Sequence, residues 1–289
     1  VNNLGPAQSN LCKKHWMNFW KSKLSSVDLY PKQYIRMGYI YKVNHEYFEE
    51  IDNEYKAYIL GLIYADGCIW QPVGNRQLQL RINLQEEDGY ILEKFATEAG
   101  GRDVKTTHYP SNVSKQWKKT STVDIHSTKM CQTLIGYGCN IQKSRVGMTF
   151  PKLDETLIPH FIRGFMDGDG SIIIKPLGYK YKRKTTYTIS TPHVQRYKLR
   201  VAFCSTDKTF LEKLVEHLPI KKFYMAKRIR KQTVYILWIE NTNDVQSCLT
   251  YLYQDAYYFL RRKHDKLEEF NKIIKSEATG APVERLETT

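Results

Sequence analysis

Two stretches of this sequence decide the fold: Ile59-Leu-Gly-Leu-Ile-Tyr-Ala-Asp-Gly67 and Ile162-Arg-Gly-Phe-Met-Asp-Gly-Asp-Gly170. Asp66 and Asp169 occupy the same place in the two stretches, 103 residues apart (169 − 66 = 103). Both stretches are apolar at helical spacing and end at a glycine, which is common just beyond the C-terminus of a helix. The repetition predicts two copies of one structural unit.

The similarity between the two copies continues beyond these stretches at a different spacing. A group of residues recurs 119 positions later (199 − 80 = 119): Leu80-Arg81, Asp88 and Glu93 correspond to Leu199-Arg200, Asp207 and Glu212. A single insertion of 16 residues (119 − 103 = 16) between Lys175 and Lys198 reconciles the two spacings. Because each copy reads as helix, strands, helix, strands and helix, we predict an α+β fold with two equivalent halves.

Hydrophobic periodicity and glycine positions predict the elements of each copy. The first copy contains a helix over residues 55–65, a strand over 77–84 and a helix over 88–99. The second contains a strand over 198–204, a helix over 207–218, a hairpin of 227–230 with 233–240, and helices near 243–253 and 257–274. The predicted domains are an accessory extension (1–45), a first half (46–150), a second half (151–275) and a disordered tail (276–289).

The charge of the chain indicates a polyanionic partner. The chain has 44 Lys and Arg against 30 Asp and Glu, a formal net charge of +14 (44 − 30 = 14). Nucleic acid is the first candidate, and we expect no membrane partner because no stretch has the ~18 apolar residues of a membrane span. A hydrophobic fraction of 42% excludes a wholly disordered chain. Six cysteines without a C-x-x-C pair argue against a zinc site or a disulfide framework.

Glycines inside the two predicted helices indicate a close helix pair. Gly61 and Gly164 each cost about 1 kcal/mol relative to alanine in a helix interior. Ala65 and Gly168 follow four residues later on the same face, so small residues would let the two backbones approach. We therefore expect the two helices to pack against each other along these four positions.

The two aspartates then converge at one end of the helix pair. Asp66 and Asp169 fall in the last helical turn, where a carboxylate is disfavoured by the helix dipole. Like charges held together raise a pKa or recruit a cation, and hard oxygen ligands with a phosphate substrate favour Mg²⁺. The alternative is that each aspartate only ends a helix beside its glycine. Because the aspartate occurs at the same position in both copies of a strongly basic chain, we favour a bound cation over this alternative.

At this point the two stretches identify a resemblance. They are similar to the two motifs of single-chain LAGLIDADG homing endonucleases, and the resemblance covers about residues 46–275. It implies two pseudo-symmetric αββαββα halves with the motif helices as their interface and two antiparallel, saddle-shaped sheets over DNA. It also implies cleavage of both strands across the minor groove, leaving short 3′ overhangs.

The resemblance also implies which residues act. Asp66 and Asp169 match the acid that binds metal in the family, and the carbonyls of Ala65 and Gly168 match a second metal ligand. The family tends to place a lysine near each active centre, and Lys143 and Lys263 resemble those positions, 120 residues apart (263 − 143 = 120). A lysine there would stabilise charge on the phosphorane or perturb the attacking water. A solvated surface charge is the alternative for each lysine.

Two positions depart from the motif of the family. Tyr64 replaces the sixth-position Asp of the first stretch, and Arg163 replaces a small residue of the second. Neither position is a metal ligand in the family, so we expect catalysis to be retained. We expect the bulk of Arg163 to loosen the helix pairing.

The predicted strands carry a set of candidate DNA-binding side chains. Arginine, lysine and amide side chains suit contacts to base edges in the major groove and to phosphates. In the first half they are Gln77, Gln79, Arg81, Asn83, Lys115, Trp117 and Lys119; in the second they are Lys175, Lys198, Arg200, Arg228, Arg230 and Gln232. Ala202 stands where the first half has Asn83, which predicts an imperfectly palindromic target. The alternative for each residue is a solvated polar sheet face.

Together these features predict a monomeric, intron-encoded endonuclease that cuts a long double-stranded DNA target for intron homing. Mg²⁺ is the expected cofactor, Mn²⁺ is expected to substitute for it, and Ca²⁺ is expected to support binding without cleavage. Two alternatives stay open: a maturase that binds its host intron RNA, and a DNA-binding regulator that has lost cleavage. We expect an intracellular protein of an organelle, a phage or a bacterium.

Overall fold

The computed structural model describes residues 42–74, 76–100, 105–107, 119–176, 197–229 and 231–279. The chain divides after Tyr41 into two units, and the second, residues 42–289, contains both predicted halves. Most of the predicted extension (residues 1–41) and most of the predicted tail (residues 280–289) lie outside the described residues.

The first half has seven elements in the predicted order, followed by one short helix. They are α1 (Glu54–Asp66), β1 (Gly67–Trp70), β2 (Gln79–Gln85), α2 (Gly89–Ala99), β3 (Lys105–Thr107), β4 (Thr120–His126), α3 (Thr128–Tyr137) and α4 (Lys143–Val146). The Asn53 side chain caps α1 by accepting a hydrogen bond from the backbone N–H of Lys56. Helix α2 ends at Gly100, whose φ of +69° is the left-handed conformation that favours glycine.

The second half repeats the same order. Its elements are α5 (Ile158–Asp169), β5 (Gly170–Pro176), β6 (Tyr197–Ser205), α6 (Lys208–Glu216), β7 (Tyr224–Ile229), β8 (Thr233–Ile239), α7 (Thr242–Tyr253) and α8 (Arg261–Thr279). Asp207 and Asn241 cap α6 and α7 with side-chain oxygens that accept backbone N–H bonds. The αββαββα plan of both halves confirms the predicted α+β fold class.

Each half contains one antiparallel, four-stranded sheet. The strand order is β1-β2-β4-β3 in the first sheet and β5-β6-β8-β7 in the second. In β2, Leu80, Ile82 and Leu84 are buried toward the helices, while Arg81 and Asn83 lie exposed on the opposite face. This alternation follows from the period of two in a strand, so one face of the sheet is left free of helices.

The two halves meet where α1 crosses α5. A Cβ atom placed on Gly61 would lie 1.9 Å from the carbonyl oxygen of Phe161, and one on Gly164 would lie 2.0 Å from that of Tyr58. The two contacts are related by the same 103-residue offset (161 − 58 = 103) as the sequence repeat. The helix pairing at these glycines is therefore as expected, and it is nearly twofold symmetric.

The C-terminal region differs from the prediction at both ends of its helix. Helix α8 begins at Arg261 rather than near residue 257, and it continues to Thr279. The expectation of disorder from residue 276 is therefore wrong for residues 276–279. The helix continues past the position at which the amino-acid composition of the tail begins. Among the described residues, no helix combines the length and apolar character needed to cross a membrane.

Candidate active site

The two aspartates converge at the C-terminal ends of the crossed helices. Asp66 is the last residue of α1 and Asp169 is the last residue of α5. A Cβ atom placed on Gly168 would lie 2.7 Å from Asp66 Oδ2 and 2.3 Å from the Ala65 Cβ. The small residues at these positions therefore bring the carboxylate of one half against the backbone of the other.

The pKa values of both carboxyl groups are raised. Loss of hydration is the largest cause for Asp66, and the positive charges of Lys143, Arg262 and Lys263 oppose it. For Asp169, loss of hydration and then the negative charge of Asp66 raise the pKa to about 6. Asp169 is nevertheless exposed at the surface, so a ligand can reach this residue. The two carboxylates repel each other, and a cation between them would relieve the repulsion.

Lys143 and Lys263 each lie at the C-terminal end of one of the two crossed helices. Lys143 Nζ donates hydrogen bonds to the carbonyl oxygens of Ile63 (2.9 Å), Ala65 (2.8 Å) and Gly67 (2.5 Å). In the second half, Lys263 Nζ donates to the carbonyl oxygens of Gly170 and of Met166, the latter at 3.4 Å. Each ammonium group thus donates hydrogen bonds to backbone carbonyls at the C-terminal, negative end of a helix.

Both lysines are desolvated by these positions. Burial lowers the pKa of Lys143, although Cys139, Asp169 and Asp66 oppose the change. Burial also lowers the pKa of Lys263 to about 8, with further lowering by Arg262. Neither lysine is a freely solvated surface charge, which favours the predicted role beside the acids over the alternative.

The donor set fits a hard divalent cation. Two carboxylates and the neighbouring backbone carbonyls of Ala65 and Gly168 are oxygen ligands of the kind that Mg²⁺ and Ca²⁺ prefer. The Ala65 carbonyl accepts a hydrogen bond from Lys143, so it would offer a cation its second lone pair. The described residues contain no cluster of three or more His, Cys, Asp or Glu side chains that could hold a metal. The remaining ligands would therefore be water and substrate oxygen atoms, as is usual for Mg²⁺.

A family model described as LAGLIDADG endonuclease matches residues 162–274, which include most of α5, the second sheet and most of α8. The second half of the chain is therefore similar to the LAGLIDADG endonuclease family. A search of curated protein sequences gives no match.

Solved LAGLIDADG structures share the fold at low identity. The I-SmaMI LAGLIDADG homing endonuclease bound to cleaved DNA is 14% identical over 79% of this chain and 91% of its own, with a TM-score of 0.52. The LAGLIDADG meganuclease I-AabMI bound to uncleaved DNA is 15% identical over 80% and 94%, with a TM-score of 0.53. I-SmaMI bound to an uncleaved DNA target in the presence of calcium is 10% identical over 79% and 93%, with a TM-score of 0.50.

Arg163 does not loosen the LAGLIDADG helix pair, so that expectation is wrong. Its guanidinium is fully buried and donates to the carbonyl oxygens of Leu252 and Tyr258, each at 2.8 Å. A third donor bonds Glu54 Oε1 of the first half at 2.6 Å. The side chain extends along the interface instead of into it, and it connects the two halves through a buried ion pair.

The sixth motif position also has different partners in the two halves. Tyr64 donates its hydroxyl to the carbonyl oxygens of Tyr137 (2.7 Å) and Thr149 (3.1 Å). Asp167 is fully buried and accepts hydrogen bonds from the Tyr58 hydroxyl (2.9 Å), the Tyr253 hydroxyl (2.5 Å) and the Leu260 N–H (2.7 Å). Burial raises the pKa of Asp167 despite these bonds.

On the first sheet, the candidate DNA-binding residues have unequal access to solvent. Arg81 Nε and Nη2 donate to the two carboxylate oxygens of Asp124 on β4, at 2.6 and 3.0 Å, and the guanidinium lies 5.8 Å from the Trp70 ring. Asn83 accepts a hydrogen bond from Thr122 at 2.9 Å on the same exposed face. The sequence did not identify Asp124, because its partner is set by strand register.

Three first-half candidates lie away from that arrangement. Gln79 is only 8% exposed, so it does not present the free amide that the alternating pattern predicts. Gln77 precedes β2 and donates to the carbonyl oxygen of His126 at 3.1 Å. Lys119 is exposed just before β4, 3.6 Å from Glu86.

On the second sheet, one acid holds two of the predicted cations. Glu240 forms ion pairs with Lys198 at 3.5 Å and with Arg200 at 2.7 Å, the latter without hydrogen-bond geometry. The Arg200 guanidinium also lies 5.4 Å from the Trp238 ring. Lys175 and Arg228 are exposed and have no ion-pair partner among the described residues.

Gln232 is exposed in the turn between β7 and β8. The other candidates, Lys115, Trp117 and Arg230, lie outside the described residues.

Proposed function

We propose that this protein is a Mg²⁺-dependent, site-specific DNA endonuclease that cuts both strands of one target. The observation that supports it best is the junction of the halves, where Asp66 meets the backbone at Gly168 and a lysine from each half bonds the carbonyls at the end of a motif helix. Proximity of carboxylates, desolvated lysines and a metal-compatible donor set is the arrangement that metal-assisted phosphodiester hydrolysis requires.

In this proposal each residue has a defined role. Asp66, Asp169 and the carbonyls of Ala65 and Gly168 hold the divalent cation. When bound, Mg²⁺ polarises the scissile phosphate and lowers the pKa of water. Lys143 and Lys263 place positive charge where the phosphorane and leaving oxygen gain negative charge.

The helix-free faces of the two sheets are the proposed DNA-binding surface. Arg81, Asn83, Lys175 and Arg228 are exposed there, and the chain as a whole carries +14. The apparent DNA association constant should fall by about 0.9 log units per log of salt for each phosphate neutralised. The structure of I-SmaMI on an uncleaved target with calcium supports the expectation that Ca²⁺ permits binding without cleavage here.

A randomised duplex library tests this function. Wild-type protein is incubated with Mg²⁺, with Mn²⁺ and with Ca²⁺, beside Asp66→Asn with Mg²⁺, and the DNA ends produced are sequenced. We expect staggered 3′ ends around one long, imperfectly palindromic site with Mg²⁺ and Mn²⁺, and none with Ca²⁺ or with the variant. Cleavage across the minor groove predicts that the two cuts are offset by a few base pairs.

Two other outcomes would replace the proposal. Retention of specific duplexes without any cutting in Mg²⁺ would identify a DNA-binding regulator. No binding of duplex, together with binding of structured intron RNA that survives Asp169→Asn, would identify a maturase.

A further inference from the structure

Arg262 on α8 reaches across the interface to the first half, next to the acid pair. Its Nε donates to Asp88 Oδ2 at 2.8 Å, and its Nη2 lies 3.3 Å from the carbonyl oxygen of Asp167, one residue before Gly168. Asp88 is 2% exposed, whereas the Arg262 side chain is 35% exposed. A buried carboxylate therefore holds a guanidinium that is still open to solvent.

The repeat position of Arg262 in the first half carries no guanidinium. The position related by the 120-residue offset is Gln142 (262 − 120 = 142), which is uncharged and has a φ of +54°. Asp207, the repeat of Asp88, accepts hydrogen bonds from the backbone N–H groups of Met148 (2.8 Å) and Phe210 (3.1 Å) instead of a cation. The two sides of the acid pair are therefore different although the backbones match.

We propose that Arg262 binds a phosphate oxygen of one DNA strand beside the acid pair, so that the two strands are cut at unequal rates. The inference rests on the proposed nuclease function and adds a strand-specific positioning residue to it. A planar guanidinium donates two parallel N–H groups to a phosphate, and fixing it in advance reduces the entropy lost on binding. Asp88 provides that fixation.

Strand-resolved single-turnover cleavage tests the inference on the target obtained from the library. Each strand carries its own end label, and the two rate constants are measured at saturating protein. Arg262→Gln alone leaves the buried Asp88 unpaired, so the Asp88→Asn/Arg262→Gln double variant removes both charges and keeps the site neutral. We expect the double variant to slow one strand about tenfold more than the other, a loss typical of one charge-assisted hydrogen bond.

Two further variants separate positioning from packing. Arg262→Lys retains the charge without the two parallel donors and should recover part of the lost strand rate. Arg261→Gln is the matched control, because Arg261 is the preceding residue on α8 and its guanidinium lies over the Tyr90 ring instead, at 4.5 Å. It should leave the ratio of the two rates unchanged.

A methylphosphonate at single phosphates of the affected strand gives an independent readout. One such substitution should slow the wild type and have no further effect in the double variant. Equal slowing of both strands, or of neither, overturns the role of Arg262 while the nuclease function stands. A wild-type protein that cuts neither strand overturns both.

Discussion

The two halves of this molecule share a backbone plan but differ in what they bury. At the positions where α1 has Leu60 and Tyr64, α5 has Arg163 and Asp167, related by the 103-residue offset (163 − 60 = 103). Arg163 and Asp167 are both fully buried, and each has partners in both halves. The glycines thus fix the crossing symmetrically, while the second half supplies the buried charges that hold the two halves together.

Among the variants that compare the two halves, those at the two acids should have the largest effect on the cleavage rate. Although the environments of Asp66 and Asp169 differ, they form one centre, so Asp66→Asn and Asp169→Asn should each lower the cleavage rate of both strands by about 10³-fold or more. Single-turnover assays on the selected target, with both strands labelled, measure this. DNA affinity in Ca²⁺ is the control for folding. A variant that still cuts one strand at the wild-type rate would show two independent centres instead.

Replacing Arg163 should lower the free energy of unfolding more than replacing its counterpart in the first half, Leu60. Arg163→Leu leaves Glu54 partly buried without its cation, and breaking a buried pair costs about 3–5 kcal/mol. Chemical denaturation should show this loss, and the Glu54→Gln/Arg163→Leu double variant should recover a large part of it. If the single variant is as stable as the wild type, the ion pair does not hold the halves together.

The two interface glycines should be equivalent. Gly61→Ala and Gly164→Ala each place a methyl group within 2.0 Å of a carbonyl oxygen of the other helix. Each should lower the free energy of unfolding by about 1–3 kcal/mol, because overpacking forces the helices apart. Gly136→Ala in α3 is the control, since its methyl group meets no atom within 4 Å. Unequal losses of unfolding free energy at Gly61 and Gly164 would contradict the twofold symmetry of the helix crossing.

The pH dependence of cleavage sharpens the comparison of the two acid–lysine pairs. Before a cation binds, the pKa of Asp169 is raised to about 6. Because a proton then competes with Mg²⁺ for this carboxylate, the single-turnover rate at low Mg²⁺ should fall as pH drops through 6. The pKa of Lys263 near 8 means that its charge is lost above pH 8, so the rate should fall again there. Lys263→Met should lower the rate and remove the alkaline fall. An alkaline fall that persists in this variant would assign it to another group.

The sequence predicted what repeats, and it missed what depends on register or long-range contact. Two glycine–aspartate stretches at one offset were enough to predict the helix pair, the sheets beside it and the converging acids. The partners of Arg163 could not be predicted, because Glu54 lies 109 residues away (163 − 54 = 109) and the others are backbone carbonyls. A bulky cation at a small-residue position therefore appeared disruptive.

The sheet faces show the same limit. Alternation placed Arg81 and Asn83 on the free face correctly, but it could not show that Gln79 lies at a covered end of β2. Nor could it identify Asp124 and Glu240 as partners of the arginines. Asp124 faces Arg81 across the β2–β4 register, and Glu240 follows β8, which pairs with β6 of Arg200. A one-residue shift of register would have produced different pairs.

We propose that one chain contains one complete cutting centre, formed where its two halves meet. Single-turnover cleavage of the selected duplex with Mg²⁺, over a range of protein concentrations and with both strands labelled, tests this most directly. We expect both strands to be cut by a single bound protein, with rates that stop rising once every duplex holds one molecule. Rates that continue to rise as a second molecule binds, or cutting of only one strand at saturation, would contradict it.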